Sequence, residues 1–508
     1  MNHKPLPIGI DNFEMLVTRG YYFIDKTMLI KELLDKKGSV NLFTRPRRFG
    51  KTLNMSMLQY FFEDARDDKG EKLDNSYLFD GLRIMEAGEQ YISHMGQYPV
   101  INLTLKGGKQ PDFELAYIML KRQIADEYMR HKFILMDERL AEQKERYLQI
   151  MREQADREAY VDALQFLSKC LEQYYGKKVI ILIDEYDVPL ENAHLCGFYG
   201  EMIAFIRSLF ESALKTNSSL EFAVVTGCLR ISKESIFTGL NNFFVDSIVE
   251  NRFNEYFGFT DSEVRELLAY YSFAGCYDLA REWYDGYRFG GLDVYCPWDV
   301  VNYAGSLRAD ASALPQPYWI NTSGNALVRR FIDRADKTTQ NELERLIAGE
   351  PIEKAIHLNL TYNEIDNSIE NLWSVLFTTG YLTSDGRSEG GGYRLKIPNR
   401  EVREIFVQQI QAWFKERFVH DVQSMQEFCH SFLAGDAEAI QNRLNLILSR
   451  MISVLDNRVR KAQKENFKVW SIWESVDWVD CPSLGSYQKE VAFLKEFYSE
   501  RLEWMNTA

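Results

Sequence analysis

Residues 40–52 read V-N-L-F-T-R-P-R-R-F-G-K-T, and a helix-compatible stretch follows over residues 53–63. Apolar strand, polar loop, Gly-Lys-Thr, then helix is the order of a nucleotide phosphate site. A triphosphate needs donors on all sides. A tight loop turns backbone N–H groups inward, and the helix presents its positive end to the phosphates. Lys51 can reach the outer phosphates as a point charge, and the Thr52 hydroxyl can hold Mg²⁺. The usual pattern opens with Gly seven residues before the Ser/Thr. Here Arg45 stands there, and Pro46 fixes one φ and removes one donor. Arg47 and Arg48, with Arg45, add charge to the loop. The candidate nucleotide contacts are therefore Arg45, Arg47, Arg48, Phe49, Gly50, Lys51, Thr52 and Leu53. A basic surface turn before a helix is the plainer alternative for this stretch taken alone.

A second cluster makes that alternative weaker. Residues 177–190 read K-K-V-I-I-L-I-D-E-Y-D-V-P-L. The apolar run predicts a strand buried on both faces, as in a parallel sheet. It ends in Asp184 and Glu185, at the strand end where α/β sheets bind ligands. Asp184 would hold Mg²⁺ and Glu185 would polarise a water. Taken alone, two acids at a turn before a helix are common. Residues 220–227, L-E-F-A-V-V-T-G, predict another buried strand, with Thr226 at its end and Arg230 shortly after. Thr226 can sense an outer phosphate and Arg230 can stabilise transition-state charge. A turn threonine and a surface arginine are the competing readings.

The elements that must position these residues follow from pattern. Residues 53–66 and 199–216 read as helices with one apolar face, and residues 112–175 as mostly helical. Residues 99–105 read as a strand. The aromatic turn at residues 20–27 either packs over a nucleotide base or is buried against the first strand. T-D-S-E at Thr260 has capping-box spacing and opens a helix. Residues 283–300 read as a helix end, a hairpin and a new helix after Pro297; Arg288 lies within it. Residues 318–360 are expected to be mostly helical. Residues 371–403 read as helix, strand, Gly-rich wing, strand and helix, a winged-helix order, with Arg394, Lys396, Arg400 and Arg403 on or near the wing. Such units bind DNA or pack as lids. Residues 421–463 look helical.

The 508 residues, 46% hydrophobic and 26% charged, suit a globular protein of several domains. A net charge of −14 argues against coating nucleic acid or anionic membrane, though a local basic site is compatible with it. Seven scattered cysteines without a C-x-x-C pair suggest neither zinc nor a disulfide framework, and with no apolar signal core they predict a cytoplasmic protein. No apolar run approaches the ~20 residues that span a membrane.

Together these stretches resemble the bacterial and archaeal AAA-ATPase-like proteins that often carry a C-terminal PD-(D/E)XK nuclease. The resemblance covers about residues 1–400. It rests on P-L-P-I-G-I-D-N-F from Pro5, Y-F-I-D-K-T from Tyr22, F-T-R-P-R-R-F-G-K-T-L-N-M-S-M-L from Phe43 and I-D-E-Y-D-V-P-L from Ile183. It also rests on T-G-C-L-R-I-S-K-E-S-I-F-T-G-L-N-N from Thr226, W-Y-D-G-Y-R-F-G from Trp283 and Y-W-I-N-T-S-G-N from Tyr318. It implies that R-P-R-R-F-G-K-T is the family's own phosphate loop. By resemblance Lys51 and Thr52 are the phosphate and Mg²⁺ residues, and Asp184 and Glu185 the metal and water residues. Cys296 stands where the family usually has Asn before Pro-Trp.

The expected fold is α/β: a P-loop NTPase parallel sheet with helices on both faces, then a helical lid and a winged-helix-like α+β region. The expected limits are 1–260, 261–360, 361–420 and a helical tail at 421–508. The expected function is ATP binding with Mg²⁺, and hydrolysis coupled to a protein or DNA partner through the winged region. The alternative is a nucleotide switch with negligible turnover. A small-substrate P-loop kinase would need an acceptor-pocket motif, and none is seen. No membrane partner is expected, and the oligomeric state is left open. The nuclease is expected to be missing or degraded. Asp456, Glu465, Glu474, Asp477, Asp480 and Glu490 offer acids but no Glu-x-Lys at a strand end, and metal-dependent cleavage needs clustered carboxylates.

Overall fold

Apolar runs bounded by turns become the strands of a parallel sheet. In the computed structural model these are β1 (Val40–Thr44), β2 (Val100–Thr104), β3 (Val179–Asp184), β4 (Leu220–Gly227) and the short β5 (Phe243–Asp246). The structure describes residues 3–229, 243–319, 326–388 and 390–418, with 439, 441–442 and 489 beyond them. All neighbouring pairs are parallel, in the order β2-β3-β4-β1-β5. Every residue of β1 and β3 is buried, as a strand covered on both faces requires. The coverings are helices: Lys51–Phe62 after β1, Phe113–Arg130 and Ala163–Tyr175 before β3, and Val188–Cys196 and Tyr199–Phe210 before β4. This is the architecture of a P-loop NTPase-like core.

Register decides what meets at the carboxyl edge. Phe43 pairs with Thr226, Thr44 with Gly227, and Thr104 with Asp184. The ends of β1, β3 and β4 thus open on one crevice, where doubly wound sheets bind ligands. Beyond β5, Thr260 and Glu263 close the expected capping box at the helix Asp261–Tyr270. That helix, Tyr277–Tyr284 and Pro297–Ala309 bury a common core around Leu267, Tyr284 and Tyr303.

The stretch between Tyr284 and Pro297 is the expected hairpin: β6 (Tyr287–Phe289) and β7 (Leu292–Val294). Residues 318–360, expected to be mostly helical, carry the helices Ala326–Arg334 and Lys337–Ile347 and then the strand β8 (Ile352–Lys354). Three residues are too few to leave a periodic signal. β8 joins β9 (Thr383–Arg387) and β10 (Tyr393–Lys396) in an antiparallel sheet with β10 central. The helix Ile369–Thr378 precedes β9, and the helix Arg400–Phe418 follows β10. Helix, strand, glycine turn, strand and helix follow in the order read from the sequence. Residues Met1–Phe406 form one compact unit. The expected helices at 421–463 lie outside the described residues. Among the described residues no helix is long and apolar enough to cross a membrane.

Candidate functional site

The loop between β1 and the helix Lys51–Phe62 turns through left-handed backbone at Arg48 (φ 70°) and Gly50 (φ 78°). Gly50 takes this geometry at no steric cost; for Arg48 it is a strained conformation of the kind found at ligand sites. Lys51 follows at the helix start and is only 5% exposed. Its ammonium donates to the carbonyls of Arg45 at 3.0 Å and Pro46 at 2.9 Å, and lies 3.7 Å from the Cys228 sulfur. The lysine is thus folded onto its own loop, where backbone carbonyls satisfy the charge.

One helical residue on, the Thr52 hydroxyl donates to Oδ2 of Asp184 at 2.7 Å, and the Thr226 hydroxyl donates to Oδ1 of the same carboxylate. The three chain segments that sequence motifs assigned separately therefore meet on one acid. A hydroxyl and a carboxylate in contact are hard oxygen ligands of the kind Mg²⁺ takes alongside phosphate and water. Among the described residues no cluster of three or more His, Cys, Asp or Glu could hold a metal alone. The donor set therefore fits a Mg-nucleotide and not a free-standing metal centre.

Glu185 projects into the same region from left-handed backbone (φ 52°), and its N–H lies 3.4 Å from the Thr226 hydroxyl. Burial raises its carboxyl pKa, and the neighbouring Asp184 charge adds to this, against the pull of Lys51 and Lys106. An acid moved upward in a cleft suits proton acceptance near neutral pH. Two residues on, Asp187 is buried and accepts the N–H groups of Cys228 and Leu229, each at 2.8 Å. It fixes the segment after β4 to the segment after β3.

A cleft of about 390 Å³ runs from this point. Its lining includes the polar or charged group Arg47, Gly50, Lys51, Thr52 and Glu185, and the apolar and aromatic group Ile8, Tyr22, Phe259 and Trp298. Phe49, Arg48 and Leu53 also line it. The aromatic turn near Tyr22 is thus part of the wall and packs against Tyr270 and Tyr271 as well. Lys26 in the wall is neutralised by Glu263 at 2.7 Å. The loop arginines have protein partners: Arg47 pairs with Glu191, and the Arg48 guanidinium lies 4.2 Å over the Trp298 ring.

Arg45 does not line the cleft. It is fully buried, donates to the Asp246 carbonyl at the end of β5, and lies over Phe257 and Phe289. The short strand β5, which sequence reading did not find, supplies that carbonyl and draws the side chain behind the loop. Burial lowers the Arg45 pKa to about 10, so it stays charged at neutral pH. Arg230 lies outside the described residues, as do the acids 456–490. Of the winged-region cations, Arg394 reaches Asp385 at 3.3 Å and Arg400 reaches Glu282 at 2.8 Å. Arg288 is on β6, 3.8 Å from Asp293. Cys296 is buried, its sulfur 3.8 Å from the Arg48 carbonyl. Sequence reading gave no role to Asp187, Lys106 or Lys109. For Asp187 the signal was present, an acid one residue before a Val-Pro helix start; Lys106 and Lys109 had only a K-G-G-K turn.

Similarity to known proteins agrees with this geometry. Over 412 residues the chain is 29% identical to an uncharacterized protein in the vnfD 5′ region of Azotobacter chroococcum mcd 1, covering 79% of this chain and 69% of that one. Residues 7–237, which contain β1, β3, β4 and the Gly50-Lys51-Thr52 and Asp184-Glu185 motifs, match the model of the AAA-ATPase-like family, described as predicted AAA-ATPase.

Proposed function

We propose that the protein binds ATP with Mg²⁺ in this cleft and hydrolyses it. One observation carries the reading: Lys51, Thr52 and Glu185 line one cleft together with apolar and aromatic side chains, and Thr52 is bonded to Asp184. That lining suits a ligand with a charged tail and a flat, apolar head. In the proposed complex Lys51 leaves the carbonyls of Arg45 and Pro46 for the outer phosphates. Mg²⁺, held by Thr52 and by Asp184 directly or through water, would neutralise phosphate charge. Glu185 orients a water. Its oxygen bonds to the γ-phosphorus, the bond to the bridging β-oxygen breaks with its electron pair on ADP, and the water proton passes to the Glu185 carboxylate.

The switch reading keeps the same ligand and removes the turnover. What favours it is the close approach of Gly380, in the turn that leads into β9, to Pro46 of the phosphate loop. Through that contact the winged region would report nucleotide state to a protein or DNA partner. Phosphate release by the purified protein, with and without duplex DNA, separates the two readings. The test of the shared premise is titration of a fluorescent ATP analogue into wild type and Lys51→Ala. Loss of the ammonium should weaken binding by about tenfold or more. Equal affinities would refute a phosphate site at this loop.

A further inference from the structure

The cleft has a second basic wall outside the phosphate loop. After β2 the chain reads L-K-G-G-K-Q, and Lys106 and Lys109 both line the cleft that holds Lys51 and Glu185. The turn is tied to the site: Leu105 N–H donates to the Asp184 carbonyl at 3.0 Å, and Thr104 pairs with Asp184 in the sheet. It is also tied to the helix that follows the acids. A Cβ on Gly108 would come within 2.7 Å of the Pro189 Cβ, and Asn192 donates to the Gln110 carbonyl. Gly108 thus lets the backbone lie close against Val188–Cys196, and Gly107 against Gln123 of the helix Phe113–Arg130, while the lysines at each end stay exposed.

These lysines differ from the loop arginines in one respect. Arg47 is engaged by Glu191 and Arg48 by Trp298. Among the described residues neither Lys106 nor Lys109 forms an ion pair. Lys106 lies within electrostatic reach of Glu185, and both exposed ammonium groups are open to a further anion in the cleft.

We propose that Lys106 and Lys109 bind the terminal phosphate of a nucleoside triphosphate alongside Lys51, an inference that rests on the nucleotide reading above. The wall then selects triphosphate over diphosphate. It also supplies from the same chain positive charge to the three oxygens that share charge in the transition state.

The test uses the full chain and fluorescent analogues of ATP and ADP. Wild type, Lys106→Ala, Lys109→Ala, the double alanine variant and Lys106→Arg are titrated with each. The double variant should lose about tenfold or more in triphosphate affinity, the effect of one or two partly screened charge contacts. Its diphosphate affinity should stay within about twofold, and Lys106→Arg should retain triphosphate preference. The loss should shrink as salt rises. Unchanged triphosphate affinity in the double variant, or equal loss for both nucleotides, overturns the proposal while Lys51-dependent binding persists. Binding that ignores both Lys51→Ala and the double variant instead overturns the nucleotide reading, and this one with it.

Discussion

Glu185→Gln tests the chemistry most directly, because the structure separates what the side chain does from what holds it. The residue's backbone is left-handed and its N–H faces the Thr226 hydroxyl. Glutamine keeps that backbone, the side-chain volume and one carbonyl oxygen. It removes the only property the proposed step uses, a proton-accepting charge. A positioned general base contributes about 10²–10⁴-fold, or about 2.7–5.5 kcal/mol of barrier. Turnover should fall by that factor while the affinity for an ATP analogue stays within about threefold. Fold stability should hold or rise slightly, because the buried carboxylate beside Asp184 is disfavoured in its charged form. The pH profile adds a second readout. A raised carboxyl pKa moves the acid limb of the wild-type rate upward from the ordinary glutamate range of about 4.3, and this limb should vanish in the variant. Phosphate release against pH, paired with equilibrium titration, measures both. A variant that hydrolyses ATP within about threefold of wild type, with the same acid limb, would refute the role of Glu185.

Two further outcomes are expected. Gly380 has φ 90°, and a Cβ there would meet Pro46 at 2.9 Å, so Gly380→Ala should cost about 1–3 kcal/mol in unfolding free energy and also weaken nucleotide binding. Gly349→Ala, at φ 91° in open space, should share the strain but leave binding alone, and equal affinities for the two variants would remove the link to the loop. Asp299 and Glu401 are both buried, and burial raises both carboxyl pKa values; the neighbouring Asp299 raises Glu401 further, while the hydrogen bond from Glu401 offsets part of the rise at Asp299. The unfolded chain releases these protons near the ordinary carboxyl range while the folded chain keeps them, so stability should fall as pH rises from about 4 toward neutrality. Asp299→Asn should flatten that fall in thermal melts at pH 5 and 8; parallel pH dependences would contradict it.

What was legible in the sequence was whatever the chemistry requires to be contiguous. Gly50-Lys51-Thr52 and Asp184-Glu185 sit on neighbouring residues because one helix start and one strand end must each present them. Thr226 was legible as a residue type at a strand end, and register brings it to Asp184. The inner strands were legible because burial on both faces demands continuous apolar runs. β5 was not. F-F-V-D is short, and its role is defined by Arg45, some two hundred residues earlier. The apolar lining of the cleft was only half legible, because Ile8, Tyr22, Phe259 and Trp298 come from segments that nothing in the sequence ties together. Lys106 and Lys109 looked like a turn, and only the pairing of Thr104 with Asp184 gives the turn its place.

The same packing explains how a loop without the usual opening glycine can still present a phosphate site. In a glycine-rich loop the backbone bends freely and the ligand orders it. Here Pro46 and the left-handed Arg48 stiffen the bend, and the shape is imposed from behind. Arg45 is drawn to the Asp246 carbonyl. Phe49 packs edge-on against Tyr287 at 5.0 Å and tilted against Phe289 at 5.1 Å. Pro46 rests on Gly380. The hairpin bearing Tyr287 and Phe289 is fastened in turn to β9, where Arg288 N–H donates to the Thr383 hydroxyl at 3.1 Å. A movement of the loop as Lys51 exchanges carbonyls for phosphates would therefore be resisted by β6, Gly380 and β9 together. Buried contacts of this kind shift between discrete arrangements more readily than they deform. On the proposed reading, the stiffness that replaces the glycine would connect nucleotide occupancy to the antiparallel sheet, and Gly380→Ala would perturb that connection where Gly380 meets Pro46.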